Sequence, residues 1–184
     1  TKVVEKGKAD GIFISTTGVA SVPNHLALGG EKALPRDGIL ISGTIGDHGI
    51  AVLIARGELG LAAEISSDVA PLNHLIQDVV LACPDIHVLR DPTRGGLATT
   101  LNEIASQSHV GILLDEQTIP INQPVRSTCE ILGVDPLYVA NEGKVILIAP
   151  PEKTTLLLET LKNNPYGKNA ALIGKVTDID AGRV

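Results

Sequence analysis

The chain lacks several residue types on which common functions depend. Its 184 residues include no Trp and no Met, and only 2% are aromatic, so aliphatic side chains must build the core. Proteins that bind single-stranded nucleic acid stack bases on aromatic side chains, and proteins that bind duplexes carry a basic surface. Because this chain has a net charge of −6, we expect no nucleic-acid partner.

The sequence also lacks the residue patterns of membrane-spanning segments and of metal sites. No apolar run approaches the roughly 18 residues of a membrane-spanning helix, and the first residues do not resemble a signal peptide. Cys83 and Cys129 each continue the apolar face of a predicted helix, so we expect buried thiols. The histidines show no metal-ligand spacing. We therefore expect a cytoplasmic protein with no membrane contact and no metal site.

Short apolar segments alternate with amphipathic ones along the chain. We expect strands at 11–15, 38–42, 87–90, 111–114, 144–149 and 171–178, and helices from Asp47, from Pro71 to about Cys83, after Arg94, at 124–132 and at 152–162. Residues 16–37 are predicted to form a long loop. The run 50–55 is apolar on all sides, which predicts a largely buried helix. This order predicts an α+β or α/β fold with a sheet covered by helices.

The stretch Asp91-Pro92-Thr93-Arg94-Gly95-Gly96 joins a predicted strand to a predicted helix. Pro92 disfavours helical backbone at Asp91, and Thr93 is expected to cap the helix. Free N–H groups at a helix start attract anions, and Arg94 adds a guanidinium, so the turn suits a phosphate. The alternative is a tight turn in which Arg94 is solvated or paired with Asp91.

A second glycine-rich turn follows the predicted strand at 38–42. It reads Ser42-Gly43-Thr44-Ile45-Gly46-Asp47-His48-Gly49 and matches neither a Walker A loop nor a dinucleotide-binding fingerprint. If the strands before the two turns are parallel, both helix starts lie at one edge of the sheet, where phosphates could meet N–H groups from both. His48 could then touch a ligand. The alternative is a tight turn that Asp47 caps.

Two further residues are candidates for chemistry. Glu142, in Asn141-Glu142-Gly143-Lys144, stands at the entrance of an apolar strand, where an accessible carboxylate could act as a general base. The alternative is a loop carboxylate paired with Lys144. Lys2 lies in the opening segment and could reach a phosphate or a developing charge, although such a lysine is usually solvated.

Taken together, these segments resemble the family of the hydrogenase maturation factor HypE. The similarity covers 1–11, 42–49, 89–97, 135–144 and 167–174, in the same order over essentially the whole chain. HypE proteins belong to the superfamily of aminoimidazole ribonucleotide synthase (PurM) and selenophosphate synthetase. The resemblance implies a two-layer α+β domain, with a mixed β-sheet covered by helices, like the C-terminal domain of that superfamily.

The resemblance also implies an activity. HypE enzymes use ATP to dehydrate a thiocarboxamide on a C-terminal cysteine to a thiocyanate, and the cyanide goes to the iron of nickel–iron hydrogenase. Glu142 would then be the base, and Lys2 would orient or stabilise the phosphorylated intermediate. The residues on the cofactor side would be Gly43, Thr44, Gly46, Asp47, His48, Arg94, Gly95, Gly96 and Asn141. The implied cofactors are ATP and Mg²⁺, and the implied partners are the carbamoyltransferase HypF, the HypC–HypD complex and a second copy of the full-length protein.

The sequence also departs from that family. An N-terminal domain, which supplies most ATP and Mg²⁺ ligands, and a C-terminal Pro-Arg-Ile-Cys tail, which bears the acceptor thiol, are not in this sequence. We therefore expect residues 1–10 to be a remnant of the domain junction and residues 11–184 to be a C-terminal domain truncated at its end. We expect this chain alone to be inactive and to bind no ATP tightly.

Two other functions stay open at this point. The chain could be the matching domain of another ATP-dependent synthase of the superfamily, in purine biosynthesis or selenophosphate synthesis. It could also be a non-catalytic module that docks partner proteins.

Overall fold

The computed structural model describes residues 7, 11, 17, 19, 21–23, 26–57 and 64–184, and the structural statements below refer to these residues. Lys2 and most of the predicted strand at 11–15 lie outside them. Residues 26–37 form turns and irregular structure without a helix, in agreement with the predicted loop.

Five strands form one sheet. They are β1 (Gly38–Ile41), β2 (Val88–Arg90), β3 (Gly111–Leu114), β4 (Ile146–Ala149) and β5 (Ala171–Thr177), in the order β2-β4-β1-β5-β3. Each neighbouring pair is antiparallel, so β1 and β2 run in the same direction on either side of β4. The strands predicted from residue 38 onward are confirmed, with small differences at their ends.

The described part of the chain contains five α-helices. They are α1 (Asp47–Ala55), α2 (Asn73–Ala82), α3 (Gly96–Ser108), α4 (Gln123–Leu132) and α5 (Thr154–Asn163). In the described part of the chain, no helix combines the length and the apolar surface that crossing a bilayer requires. The predicted α+β class is confirmed.

Apolar side chains cover both faces of the sheet. Ile39 and Ile41 of β1 share a core with Leu97 and Leu101 of α3, whereas Leu40, on the opposite face, shares a core with residues of α2 and α5. The domain therefore has three layers, and the two-layer expectation is wrong. The sequence carried the signal, because every residue of β1 and β4 is buried and a strand covered on both faces is apolar throughout.

Helix α1 does not have the environment that its sequence predicts. Although the helix is apolar on most sides, only Asp47 and Ile50 are buried, and residues 51–54 are half-exposed. Ile50 packs with Val125 and Cys129 of α4 in a cluster that contains no strand residue. The prediction of a largely buried helix is therefore wrong, because the described neighbours of α1 pack against one side of it.

Candidate functional site

Three segments meet at one end of the sheet. Because β1 and β2 both run antiparallel to β4, their C-terminal ends lie beside the N-terminal end of β4. Ser42 continues the pairing beyond β1, since its N–H donates to the Val145 carbonyl at 3.0 Å and its Oγ accepts the Val145 N–H at 3.0 Å. The two glycine-rich turns and the loop that carries Glu142 therefore share one edge.

Asn141 ties these three segments together. Its Oδ1 accepts the N–H of Gly46 at 2.8 Å, and its Nδ2 donates to the carbonyls of Pro92 at 2.9 Å and Val139 at 3.2 Å. Its own N–H donates to the Pro92 carbonyl at 3.3 Å. The residue is completely buried. The structure thus gives Asn141 a positioning role, and contact with a cofactor stays a prediction.

The carboxylate of Asp47, the first residue of α1, is bonded within the protein. It accepts hydrogen bonds from the Thr44 hydroxyl and, at 2.7 Å, from Nδ2 of Asn122, and the residue is 5% exposed. Gly46 precedes the helix with a φ of 83°, a left-handed conformation that glycine adopts readily. Asp47 therefore closes the turn through side-chain bonds, while Gly46 is the residue at the helix cap.

Helix α3 begins at Gly96, and its cap residue is Gly95. The expectation that Thr93 caps this helix is therefore wrong. Both glycines have left-handed backbones, with φ of 73° and 64°, which favour glycine over any residue with a Cβ. A Cβ on Gly96 would overlap the carbonyl oxygens of Leu137 and Val139. The group that approaches Gly96 closely is thus the protein's own loop before β4.

Arg94 lies exposed at the same turn. In the alternative interpretation, Arg94 pairs with Asp91. Arg90 also lies near that carboxylate, since its Nε is 4.0 Å from Asp91, while its Nη2 is 2.9 Å from Glu103. A guanidinium at the surface beside a glycine-rich helix start is an arrangement that suits a phosphate.

Asp68 anchors the loop before β4 from a segment that the sequence analysis did not single out. Its Oδ1 accepts the N–H of Glu142 at 3.1 Å, and its Oδ2 lies 3.2 Å from Nζ of Lys144, in a pair whose side chains are 3% and 11% exposed. Gly143 lies so close that a Cβ would overlap the Asp68 carbonyl, and a Cβ on Gly43 would come within 3.1 Å of Cε of Lys144. These two glycines therefore make room for the ion pair.

Glu142 and His48 face each other across this edge. Oε1 of Glu142 lies 3.8 Å from Nε2 of His48, and the two side chains are 31% and 17% exposed. On the other side of the ring, Nδ1 lies 2.9 Å from Oγ of Ser67. The N–H of Gly49 donates to the Ala140 carbonyl at 3.0 Å, which joins the first turn of α1 to the loop that carries Glu142. A partly exposed carboxylate is thus held where both turns meet.

With one exception, the predicted site residues lie in these three segments. The exception is Lys2, which is outside the described residues. Sequence reasoning missed Ser67, Asp68 and Asn122. Ser67 and Asp68 lie in a polar stretch without periodicity between α1 and α2, so only their contacts reveal them. Asn122 directly precedes α4, which is a signal for a helix start rather than for a site.

A cleft of about 350 Å³ opens beside the site. It is lined by Asp47, Glu64, Ile65, Ser66, Asp68, Asn122, Pro124 and Val125. Because Asp47 and Asp68 belong to both, a small group in the cleft would lie close to the 42–48 turn. Within the described residues, no group of three or more His, Cys, Asp or Glu side chains could hold a metal ion.

Both cysteines lie among apolar side chains. Cys83 and Cys129 are each 1% exposed, which confirms the prediction of buried thiols. Burial, and after it the nearby carboxylate of Asp135, raises the pKa of the Cys129 thiol above its ordinary value.

The model of the family "AIR synthase related protein, C-terminal domain" matches residues 35–184. The chain belongs to this family. Among its curated relatives, the carbamoyl dehydratase HypE of Azotobacter vinelandii is 56% identical over 176 residues, which are 96% of this chain and 52% of that protein. The resemblance to HypE is thereby confirmed, and the chain spans about half the length of the curated relatives that it matches.

Solved structures agree with this family assignment. A HypE–HypF complex has a TM-score of 0.80 and 48% identity, covering 82% of this chain and 50% of that one. HypE in complex with ATP has a TM-score of 0.79 and 49% identity, covering 84% of this chain and 48% of that one. The three-layer α+β architecture is thus that of a HypE-like domain of the AIR synthase related family.

Proposed function

We propose that this domain supplies the catalytic base of an ATP-dependent carbamoyl dehydratase. The observation that carries the proposal is the position of Glu142, a partly exposed carboxylate at the edge where the two glycine-rich turns meet. The name of the Azotobacter vinelandii relative, carbamoyl dehydratase HypE, supports this activity. The identity of 56% to that relative also favours it over purine or selenophosphate synthesis, which no observation here supports.

The chemistry assigns a task to each group. Dehydration of a carbamoyl group on a cysteine sulfur removes the oxygen and two N–H protons and leaves a thiocyanate. ATP, when bound, supplies the phosphoryl group that turns the amide oxygen into a leaving group. Glu142 accepts one N–H proton, which is the work of a general base, and the second proton leaves with the phosphate that carries away the amide oxygen. The cyanide is then available for the iron of nickel–iron hydrogenase.

The described residues fit a phosphate at the start of α3. There Arg94 is exposed beside the left-handed Gly95, and a helix start of this kind favours an anion. At the start of α1, the carboxylate of Asp47 accepts hydrogen bonds from Thr44 and Asn122, and its negative charge disfavours an anion there. We therefore assign Arg94 and Gly95 to the phosphate side. Gly43, Thr44, Gly46, Asp47 and Gly96 shape the turns that hold the site.

The remaining cofactor and partner assignments follow from the same proposal. We assign Lys2 to the phosphorylated intermediate, and Mg²⁺ together with most of the ATP ligands to a domain outside this chain. The solved HypE–HypF complex supports HypF as a partner, and we propose HypC–HypD as the acceptor of the cyanide and homodimerisation at full length. This chain alone should bind ATP weakly and should not dehydrate, so normal turnover by the isolated chain would refute that part.

The test of the proposal is Glu142→Gln in a full-length chimera, in which this domain replaces the matching part of the Azotobacter vinelandii relative. Glutamine keeps the size of the side chain and removes the base. We expect dehydration to fall at least about 100-fold, which is the usual contribution of a general base, while HypF binding and the unfolding midpoint stay unchanged.

The matched control is Glu159→Gln, which removes a carboxylate from the exposed surface of α5 and should leave dehydration unchanged. Normal dehydration by the Glu142→Gln chimera would contradict the proposal and favour a domain that only docks partners.

A further inference from the structure

The imidazole of His48 lies between a hydroxyl and the proposed base. Nδ1 of His48 is 2.9 Å from Oγ of Ser67, and Nε2 is 3.8 Å from Oε1 of Glu142. The His48 side chain is 17% exposed, which is less than the 31% of Glu142. The ring is thus covered by protein to a greater extent than the carboxylate is.

The backbone fixes this arrangement. The N–H of Gly49 donates to the Ala140 carbonyl at 3.0 Å, and a Cβ on Gly49 would overlap the Val139 side chain. The residue that follows His48 is therefore in direct contact with the loop that carries Glu142. This contact restrains the two backbone segments from which the ring and the carboxylate extend.

The segment that contains Ser67 and Asp68 contacts both His48 and Glu142. Ser67 contacts the imidazole of His48, while the adjacent Asp68 accepts the N–H of Glu142 at 3.1 Å. Asp68 is itself paired with Lys144 at 3.2 Å, so its charge is compensated by that lysine. The adjacent residues Ser67 and Asp68 therefore restrain both His48 and the proposed base.

The contacts of the imidazole favour one of its two tautomers. Oγ of Ser67 accepts the N–H of Val69 at 3.3 Å, and its own hydrogen can be donated to Nδ1 of His48. With Nδ1 accepting, the ring hydrogen resides on Nε2, which faces the Glu142 carboxylate. The opposite tautomer would turn a nitrogen lone pair toward the carboxylate, which is electrostatically unfavourable.

We propose that His48 is the positioning residue of Glu142, and that Ser67 holds His48 as the tautomer that presents Nε2–H to the carboxylate. The inference rests on the proposed function, in which Glu142 is the base. His48 orients one carboxylate oxygen and does not itself touch the substrate. A misplacement of a catalytic group by about 1 Å can cost about 100-fold in rate, so loss of this support should appear in kcat.

The kinetic test compares variants of the full-length chimera. We expect His48→Ala to lower kcat between about 10-fold and 100-fold and to leave the KM for ATP within about twofold, because it removes positioning rather than binding. His48→Gln, whose amide can reach the place of Nε2, should recover most of the lost kcat. His48→Asn, whose amide reaches only the place of Nδ1, should not. The control is His74→Ala, on the exposed surface of α2, which should have no effect.

A second readout does not depend on turnover. Nitrogen NMR of the imidazole rings in the 184-residue chain should show the His48 ring hydrogen on Nε2, and Ser67→Ala should produce a mixture of tautomers. A hydrogen on Nδ1, or a tautomer that Ser67→Ala leaves unchanged, would overturn the inference.

The two proposals fail in different ways. Full kcat in His48→Ala, or equal losses in His48→Gln and His48→Asn, would overturn the positioning role of His48. If Glu142→Gln is inactive in the same experiment, the role of Glu142 as the base still stands. Full turnover in Glu142→Gln would instead remove the proposed function on which this inference rests.

Discussion

A histidine faces a carboxylate at each end of the central sheet, and the two pairs differ in distance and exposure. At the start of β1, Nδ1 of His87 lies 2.7 Å from Oδ2 of Asp37, whose side chain is 4% exposed. At the other end, Nε2 of His48 lies 3.8 Å from Oε1 of Glu142, whose side chain is 31% exposed. In the first, covered pair the contact is short and the carboxylate is buried, whereas in the second, open pair the contact is longer and the carboxylate is partly exposed.

We propose that the difference separates a structural pair from a pair that takes part in the chemistry. Oδ2 of Asp37 also accepts the N–H of Leu34 at 2.8 Å, so the carboxylate joins the segment before β1 to the residue before β2. A buried carboxylate with such partners stabilises the fold and has little surface to offer a substrate. Glu142 is held at its backbone by Asp68 while its carboxylate stays accessible, which is the requirement for a base. The comparison predicts that substitutions at the covered pair change stability and substitutions at the open pair change turnover.

The largest effect on stability should come from the residue that builds the open end. In Asn141→Ala, the buried N–H of Gly46 loses its acceptor, and the Pro92 carbonyl loses one of its donors. Each buried group left without a partner costs about 1–3 kcal/mol. We expect a loss of about 3 kcal/mol in the free energy of unfolding, measured by urea denaturation. The control Asn102→Ala, at an exposed position of α3, should lose little, and a near-normal Asn141→Ala would show that the three segments hold together without this amide.

A smaller effect should come from the covered pair. Asp37→Asn keeps an oxygen for the N–H of Leu34 and removes the charge that faces His87. We expect a loss of about 1–2 kcal/mol in the free energy of unfolding, because a charged hydrogen bond becomes a neutral one. Asp85→Asn, at an exposed position nearby, is the matched control. Equal stability of the two variants would remove the structural role of the pair.

The smallest effect concerns the apolar cluster of α1 and α4, which lies next to the open end and includes Cys129. Burial raises the pKa of the Cys129 thiol in the folded protein. The thiol therefore contributes fully to the free energy of unfolding below the unfolded pKa of about 8.5, and this contribution is lost as pH rises through the folded pKa. The loss should not exceed about 1.4 kcal/mol per pH unit. Thermal unfolding from pH 7 to 10 should show a decline that is smaller in Cys129→Ala, and identical slopes would show that this thiol contributes nothing.

The sequence predicted the elements of the sheet better than it predicted how they are covered. Strand and helix positions follow from periodicity, which is local, and so does the end of β2 at Arg90 before Pro92. The burial of α1 does not follow, because it depends on which neighbours reach each side of the helix. The cap of α3 was wrong for a related reason, since Gly96 is required by the close approach of the 137–139 loop and Gly95 has a left-handed backbone.

The candidate site divides in the same way. The turns at 42–49 and 91–96 and the carboxylate of Glu142 could be located from motifs and family resemblance. Their convergence depends on the direction of β1 and β2 relative to β4, which no local pattern specifies. Ser67 and Asp68 could not be predicted, because a serine and an aspartate in a polar loop are common and only their contacts with His48 and Glu142 distinguish them.

The most direct test of the account measures stability and dehydration together for Glu142→Gln and Asp37→Asn in the full-length chimera, well below the unfolding midpoint. We expect opposite results for the two variants. Glu142→Gln should keep its unfolding free energy within about 0.5 kcal/mol and lose dehydration, whereas Asp37→Asn should lose stability and keep dehydration. Retained dehydration in Glu142→Gln, or its loss in a folded Asp37→Asn, would contradict the assignment of the open end as the site of chemistry.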